Sequence, residues 1–361
     1  MITIENDKRR LSDVAAKLVD NLASLLEGMK INRIESTPKV LGNLKVDLIA
    51  DVQIGKVKTK LIFDIKSTGE PRFALMAIPT LESATRSVEN SYPVFASTYL
   101  SERTRTILRE RRIGYLDLAG NAYLRFGDVL IDRTSLETRV RERRGVKQLT
   151  APKATRVLRA LLNRYDTPQR ITDLADTCSM SPGGVYWVVE LLEKEGFVER
   201  DEAKRITLSR PGELLDFWAK SWDMRRNDWT GYFSPEKTPE DMIKQVSKFG
   251  KSEKKRFAFT LMAGASLVAP FVRYQDVWVY IDGDESDWIE GLDLKPVSGG
   301  GNLMIVRPYD EGVFMDLQTS GDSYAVCDVQ LYVDLYNYAA RGREQAEFLR
   351  ERRIQFNEVG R

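Results

Sequence analysis

Histidine is absent from this chain of 361 residues. That removes the commonest general base near neutral pH, the imidazole-activated nucleophile and the His-ligated zinc site. Any catalysis must then run on carboxylates, Lys, Ser or Tyr together with a hard metal ion that takes oxygen ligands. Cysteine is almost as scarce. Cys178 falls on an apolar helical stripe and Cys327 in a strand-like run, so the two read as buried free thiols rather than as a disulfide. Long apolar runs are missing too: the longest uncharged stretch, Phe257 to Val272, is interrupted by Pro270 and falls short of the roughly 20 residues a bilayer-spanning helix needs. With no signal segment visible at the N-terminus, a cytoplasmic chain without a membrane partner is expected. Net charge is small as well, since 55 Lys and Arg against 53 Asp and Glu leave +2. Affinity for a polyanion must therefore come from local clustering.

What is present is apolar periodicity in a chain long enough for two or three domains. Val157, Leu158, Leu161 and Leu162 lie one helical turn apart, and Ile171, Leu174, Ala175 and Cys178 repeat the spacing after the breaker Tyr165-Asp166-Thr167-Pro168. Val185, Val188, Val189 and Leu192 form a third stripe, entered through Ser181-Pro182, a cap followed by a residue suited to the first helical turn. After Gly196, Phe197-Val198-Glu199-Arg200 and Arg205-Ile206-Thr207-Leu208 read as a short hairpin. Three helices and a hairpin in this order predict a winged helix-turn-helix over residues 151–210.

In such a module the third helix enters the major groove by its N-terminal end while the wing straddles phosphates. The candidate DNA-facing residues are Ser181, Gly183, Gly184, Tyr186 and Trp187 on the helix and Arg200, Lys204 and Arg205 on the wing. Arg, Asn and Gln, the side chains best shaped for bidentate base contacts, are scarce there, so the expected binding rests mainly on phosphates. A basic linker over 136–150 supplies Arg139, Arg141, Arg143, Arg144 and Lys147, and Lys153, Arg156 and Arg159 continue the basic residues into the first helix. A patch of this kind attracts phosphate by displacing counterions. A winged helix used for protein contacts is the alternative.

Ahead of this module, Val14, Leu18, Leu22, Leu25 and Leu26 form a helical stripe. Two strand-like runs follow, Lys45 to Ile54 and Lys58 to Lys66, joined through Gly55. Paired as a hairpin about that turn, they set Asp47 opposite Asp64, with Lys66 on the face of Asp64 because strand side chains alternate. Two carboxylates that could hold Mg²⁺ and a lysine that could position water are the components of a metal-dependent phosphodiesterase.

The order and spacing of Asp47 and Asp64-Ile65-Lys66 resemble the PD-(D/E)XK nucleases, whose restriction-endonuclease-like αβββαβ core is also suggested by a helix near 72–90 and a strand from Tyr92 to Tyr99. The resemblance implies Asp47 and Asp64 as metal ligands, Lys66 as the catalytic lysine and Glu27 as the first-helix acid. Val46 stands where the family's name-giving proline would be, and Asp51 is the alternative to Asp47 as the strand carboxylate.

Ile113-Gly114-Tyr115-Leu116-Asp117-Leu118-Ala119-Gly120-Asn121-Ala122, with Tyr92-Pro93-Val94-Phe95-Ala96 before it and the winged helix after it, is similar to AbiEi-type antitoxins, the transcriptional regulators of type IV toxin-antitoxin systems. Asp117 and Asn121 read as a turn closing the first domain.

Beyond a helical segment Leu214 to Trp229 and a break at Ser234-Pro235, an apolar helix over Phe257 to Val272 leads to the strand Val277 to Asp282. With Gly264-Ala265-Ser266 ahead of Asp282-Gly283-Asp284, these strings resemble nucleotidyltransferase-like domains, in which two such aspartates bind metal; a simple turn is the other reading. Gly299-Gly300-Gly301 lacks the lysine of a phosphate loop and reads as a turn. Asn302 to Arg307 is a strand, and the strand-like run Val326 to Tyr336 passes into a helix over Arg343 to Arg352. The AbiEi likeness extends here through Val329 to Leu335 and Arg341 to Ala346, and it implies a C-terminal domain that restrains a toxin.

The expected protein is α+β and multidomain: a nuclease-like domain over 1–135, the basic linker, the winged helix, and a mixed α/β antitoxin-like domain over 211–361. The expected function is that of a DNA-binding regulator of antitoxin type, with duplex DNA and a cognate toxin as partners and no cofactor. A Mg²⁺-dependent endonuclease and a non-catalytic interaction scaffold are the alternatives.

Overall fold

A computed structural model of the chain describes residues 13–18, 21, 29–35, 39–41, 44–135, 148–297 and 299–356. The chain divides into two compact units, Met1–Val146 with Glu193–Gly196, and Lys147–Leu192 with Phe197–Arg361.

In the first unit helix α1 (residues 13–18) precedes the strands β1 (Met29–Glu35), β2 (Lys39–Leu41), β3 (Leu44–Val46), β4 (Leu48–Ile54) and β5 (Val57–Lys66). The run expected as one strand from Lys45 is thus split at Asp47: β3 pairs with β2, while β4 joins the main sheet. The β4–β5 hairpin turns at Gly55, whose φ of 55° costs a residue without Cβ nothing. Helix α2 (Pro71–Ser87), strand β6 (Ser91–Ser97), helix α3 (Glu102–Glu110) and strands β7 (Gly114–Asp117), β8 (Ala122–Phe126) and β9 (Val129–Arg133) complete the unit. Its sheet has the order β1-β4-β5-β6-β7-β8-β9. Strands β5, β6 and β7 run parallel because a helix carries the chain back between them, and the flanking pairs are antiparallel.

Each face of this sheet is covered. Ile62, Phe95 and Tyr115 pack against Ala74, Ala77, Ile78 and Leu81 of α2 and Leu108 of α3, whereas Leu61, Phe63, Val94 and Leu116 belong to a second core with Val14 and Leu18 of α1. Burial on both sides explains why the second half of β5 reads as a nearly continuous apolar run instead of an alternating one.

The second unit begins with helices α4 (Pro152–Asn163), α5 (Ile171–Thr177) and α6 (Pro182–Lys194), followed by the hairpin β10 (Val198–Arg200) and β11 (Ile206–Leu208). The three apolar stripes read from the sequence are buried, among them Val157, Leu161, Leu174, Val185, Val189 and Leu192. Helix α7 (Pro211–Ser221) then leads into a second sheet of order β15-β12-β16-β14-β13-β18-β17. Its strands are β12 (Asp228–Phe233), β13 (Phe257–Thr260), β14 (Val277–Ile281), β15 (Lys295–Pro296), β16 (Leu303–Arg307), β17 (Gln318–Ser320) and β18 (Ser323–Ala325). The helices of this part are α8 (Pro239–Ser252), α9 (Leu261–Val268), α10 (Ser286–Gly291), α11 (Asp328–Tyr336) and α12 (Gly342–Arg353). One continuous core holds Val157, Leu161, Val189 and Phe197 together with Trp218, Ala258, Tyr280, Leu331 and Leu349. A second core under α8 and α10 holds Val246, Phe257, Val279, Trp288 and Ile305.

Three expected elements come out differently here. Phe257–Thr260 is a strand, and the helix after it starts at Leu261, which turns the corner with a φ of 50°. Val326 to Tyr336 is not strand-like: Asp328–Tyr336 is a helix, entered after Cys327. Helix α7 ends at Ser221, so Trp229 lies on β12. For the first two the cause is burial. All four residues of Phe257–Thr260 and eight of Val329–Tyr336 are buried, and a segment enclosed on every side has no polar face from which its period can be read.

Candidate functional site

Helix α6 meets solvent with its first turn. The Ser181 hydroxyl accepts a hydrogen bond from the Gly184 amide at 3.2 Å, capping the helix. Gly183 has nothing within 4 Å of where a Cβ would stand. Tyr186 and Trp187 project outward at 48% and 45% exposure, while Val185, Val188 and Val189 hold the opposite face in the core. The hairpin lies beside them: the Arg200 guanidinium sits over the Tyr186 ring at 5.1 Å. At its tip Lys204 is exposed with a φ of 58°. Arg205 is drawn back by Asp201, Nε to Oδ2 at 2.7 Å. Ser181, Gly183, Tyr186, Trp187, Arg200 and Lys204 therefore share one neighbourhood on exposed elements. Arg139, Arg141, Arg143, Arg144 and Lys147 lie outside the described residues.

Two arginines read as basic surface are not surface at all. Arg156 is 7% and Arg159 1% exposed. Arg156 binds Asp310 by two prongs, and Arg159 donates to the Gln330 side-chain oxygen and lies over the Trp218 ring at 5.2 Å. Gln330 in turn donates to Asp334 at 2.7 Å, and Asp334 also accepts from Thr260 at 2.6 Å and Tyr280 at 3.2 Å. Burial pushes the Asp334 carboxyl up to about 6 against these hydrogen bonds. Sequence reasoning missed this network. The signal available was Gln330 and Asp334, four residues apart inside the apolar run Val329–Leu335, a spacing that stacks two polar groups on one helical face. Since residues 151–208 hold nine basic and nine acidic side chains, removing Arg156 and Arg159 from the surface leaves that segment without a positive field of its own.

In the first unit the register ends at Leu48↔Phe63, beside which the Asp47 amide donates to the Phe63 carbonyl at 3.0 Å. The Asp47 carboxylate accepts the Ile65 amide at 2.7 Å, and Lys66 Nζ lies 2.5 Å from Asp64 Oδ1. Asp64 is buried; desolvation raises its carboxyl above the usual range, Lys66 opposes the shift and Asp47 adds to it. Asp47, Asp64 and Lys66 thus converge, while Glu27 lies outside the described residues. As a magnesium site the set fits poorly. One carboxylate holds a backbone amide and the other holds the lysine.

The remaining motifs are structural in geometry. Asp117 is buried and accepts from the Asn121 amide, the Asn121 side chain and the Leu100 amide at 2.7–2.9 Å, closing the turn between β7 and β8. Asp284 Oδ1 accepts from the Ser286 amide and hydroxyl, both at 3.1 Å, which lowers its pKa and marks a turn, and Asp282 faces Arg256 at 3.8 Å. Cys178 and Cys327 are free and buried, and burial pushes the Cys178 thiol up to about 11. No helix among the described residues is long and apolar enough to cross a membrane.

The architecture defines a mixed α+β multidomain protein built on more than one sheet. Residues 206–355 match the family model described as "Transcriptional regulator, AbiEi antitoxin, Type IV TA system". No curated protein and no solved structure matches the chain.

Proposed function

We propose that this protein is a DNA-binding transcriptional regulator of antitoxin type, docking on duplex DNA through a winged helix-turn-helix over residues 151–210. The observation that carries the reading is the exposed first turn of α6, with Ser181, Gly183, Tyr186 and Trp187 beside a hairpin bearing Arg200 and Lys204, on a three-helix scaffold whose apolar stripes are buried. The regulator family matched by residues 206–355 supports it. Phosphate attraction comes from the basic residues Arg139, Arg141, Arg143, Arg144 and Lys147 and from the wing tip, because the helices themselves are charge-balanced. The C-terminal region restrains a cognate toxin. Titration of the full chain against the duplex upstream of its own gene, in a series of salt concentrations, tests the first half of this reading. Retarded complexes that weaken steeply with salt are expected. Failure to bind that duplex, or any other, at low salt would overturn it. Rescue of growth on co-expression with the neighbouring gene tests the second half.

The N-terminal unit is read as a PD-(D/E)XK-like fold retained without activity. The helix–strand order around β4, β5, α2 and β6 and the convergence of Asp47, Asp64 and Lys66 support the likeness. The engagement of Asp47 by the Ile65 amide and the ion pair of Asp64 with Lys66 support the loss of metal binding.

A further inference from the structure

A groove of about 1210 Å³ opens on the second unit between α8, the segment after α9, and the β17–β18 turn. Its charge is one-sided: Lys237, Lys244, Lys248, Lys251 and Arg273 line it against Glu240 and Asp322. Lys244, Lys248 and Lys251 stand at i, i+4 and i+7 on α8, one face of the helix spanning about 10 Å. Lys251 is engaged by Asp322 at 2.6 Å and Lys244 lies 3.6 Å from Asp241. Lys237, Lys248 and Arg273 pair with no carboxylate among the described residues.

The walls are apolar and aromatic. Ile243, Leu267 and Val272 line the groove, and at its edge Phe271 stacks on Phe348, ring centroids 4.5 Å apart and planes within 9°. Phe271 remains 52% exposed, so one ring surface is covered by Phe348 while much of the side chain meets solvent. A pocket for one small ligand usually encloses roughly 300–1,000 Å³; this groove exceeds that. Unpaired cations spaced along a channel, with an aromatic platform at one edge, are the two elements by which proteins hold a single strand: charge for the phosphates and a ring on which a base stacks.

From these features we infer that the groove binds single-stranded nucleic acid, with Lys237, Lys248 and Arg273 on its phosphates and a base stacked on Phe271. The site is separate from the duplex-facing surface of α6 and does not depend on the reading of that surface.

Fluorescence anisotropy of the full chain with labelled oligouridylate and oligodeoxythymidylate of about 12 nucleotides tests the inference. Three phosphate contacts predict a slope of log K against log salt of about −2. Lys248→Ala with Arg273→Ala should remove about two-thirds of that slope, whereas Phe271→Ala should lower affinity about tenfold and leave the slope in place. Because Lys248 and Arg273 are exposed, the melting temperature of the double variant should match the parent. Binding of either strand with this pattern supports the site, and a preference for one names its source. An unchanged slope in the double variant, an unchanged affinity in Phe271→Ala, or equal competition by polyglutamate would overturn it. So would loss of binding on replacing Arg200 and Lys204, since the strand would then lie on the hairpin.

Discussion

Arg156 and Asp310 form a two-pronged buried ion pair: Nε donates to Oδ1 at 2.8 Å and Nη2 to Oδ2 at 2.8 Å, with the side chains 9% and 6% exposed. A third guanidinium nitrogen, Nη1, reaches the Cys178 carbonyl at 3.3 Å and Glu311 at 3.2 Å. One residue of the first helix thereby joins the end of the second helix to the turn after β16. With Arg159 on Gln330 and Arg164 on Asp316 at 2.8 Å, two arginines of α4 and the one that follows its last residue fix the helix to the C-terminal region. The proposed DNA-reading helices are thus part of the same packed body as the segment that matches the antitoxin family.

Removing either partner of the Arg156–Asp310 pair leaves a buried charge uncompensated. Arg156→Ala and Asp310→Ala are each expected to lower stability by about 3–5 kcal/mol. Arg156→Met combined with Asp310→Leu should cost much less, because it removes both desolvation penalties at once. Chemical denaturation of the three variants checks this. Equal losses for the double and single variants would mean that the pair is held for its packing alone.

Tyr186 and Trp187 offer apolar surface where base-reading helices usually offer Arg, Asn or Gln, and apolar side chains at that position contact thymine methyl groups. On a bound duplex, replacing a contacted thymine by uracil should weaken binding about fourfold, the value of one buried methyl. Trp187→Ala should abolish that discrimination and leave the salt slope unchanged. Retention of the thymine preference in Trp187→Ala would move the contact elsewhere.

Lys66 is ion-paired with Asp64 in the N-terminal unit. Millimolar Mg²⁺ or Mn²⁺ should leave the melting temperature unchanged, and plasmid and linear duplex should remain intact. Lys66→Met should destabilise the unit near neutral pH, because desolvation and Asp47 then act on Asp64 unopposed; Asp64→Asn should recover part of that loss. Cleavage by the parent protein that disappears in both Asp64→Asn and Lys66→Met would establish an active nuclease instead.

Asp334 gives the second unit a pH dependence of definite sign. Its carboxyl is pushed from 3.8 up to about 6, so the folded chain holds the proton more tightly than the unfolded chain. The stabilisation is complete below about pH 4 and is lost as pH rises through about 6, amounting to about 3 kcal/mol for two pKa units in a buried site. Asp334→Asn should flatten the difference between melting temperatures at pH 4.5 and pH 7 relative to the parent. An identical pH profile in the two proteins would assign the titration to another group.

The amino-acid sequence by itself determined the elements that keep one polar face. The stripes on α5 and α6 are read directly from 3.6-residue spacing, and the hairpin at 198–208 from its turn chemistry. Exposed Tyr186 and Trp187 follow from the same argument, since they fall between the buried valines of α6. Only the tertiary structure decided what happens where no polar face exists. Phe257–Thr260 became a strand and Asp328–Tyr336 a helix because neighbours on every side, not local period, set their conformation. The same packing turned Arg156 and Arg159 inward. A run of basic residues in sequence records charge but not direction, and the long aliphatic stems of arginine allow either; their buried partners Asp310 and Gln330 lie 154 and 171 residues further along the chain, a distance across which no local pattern reports.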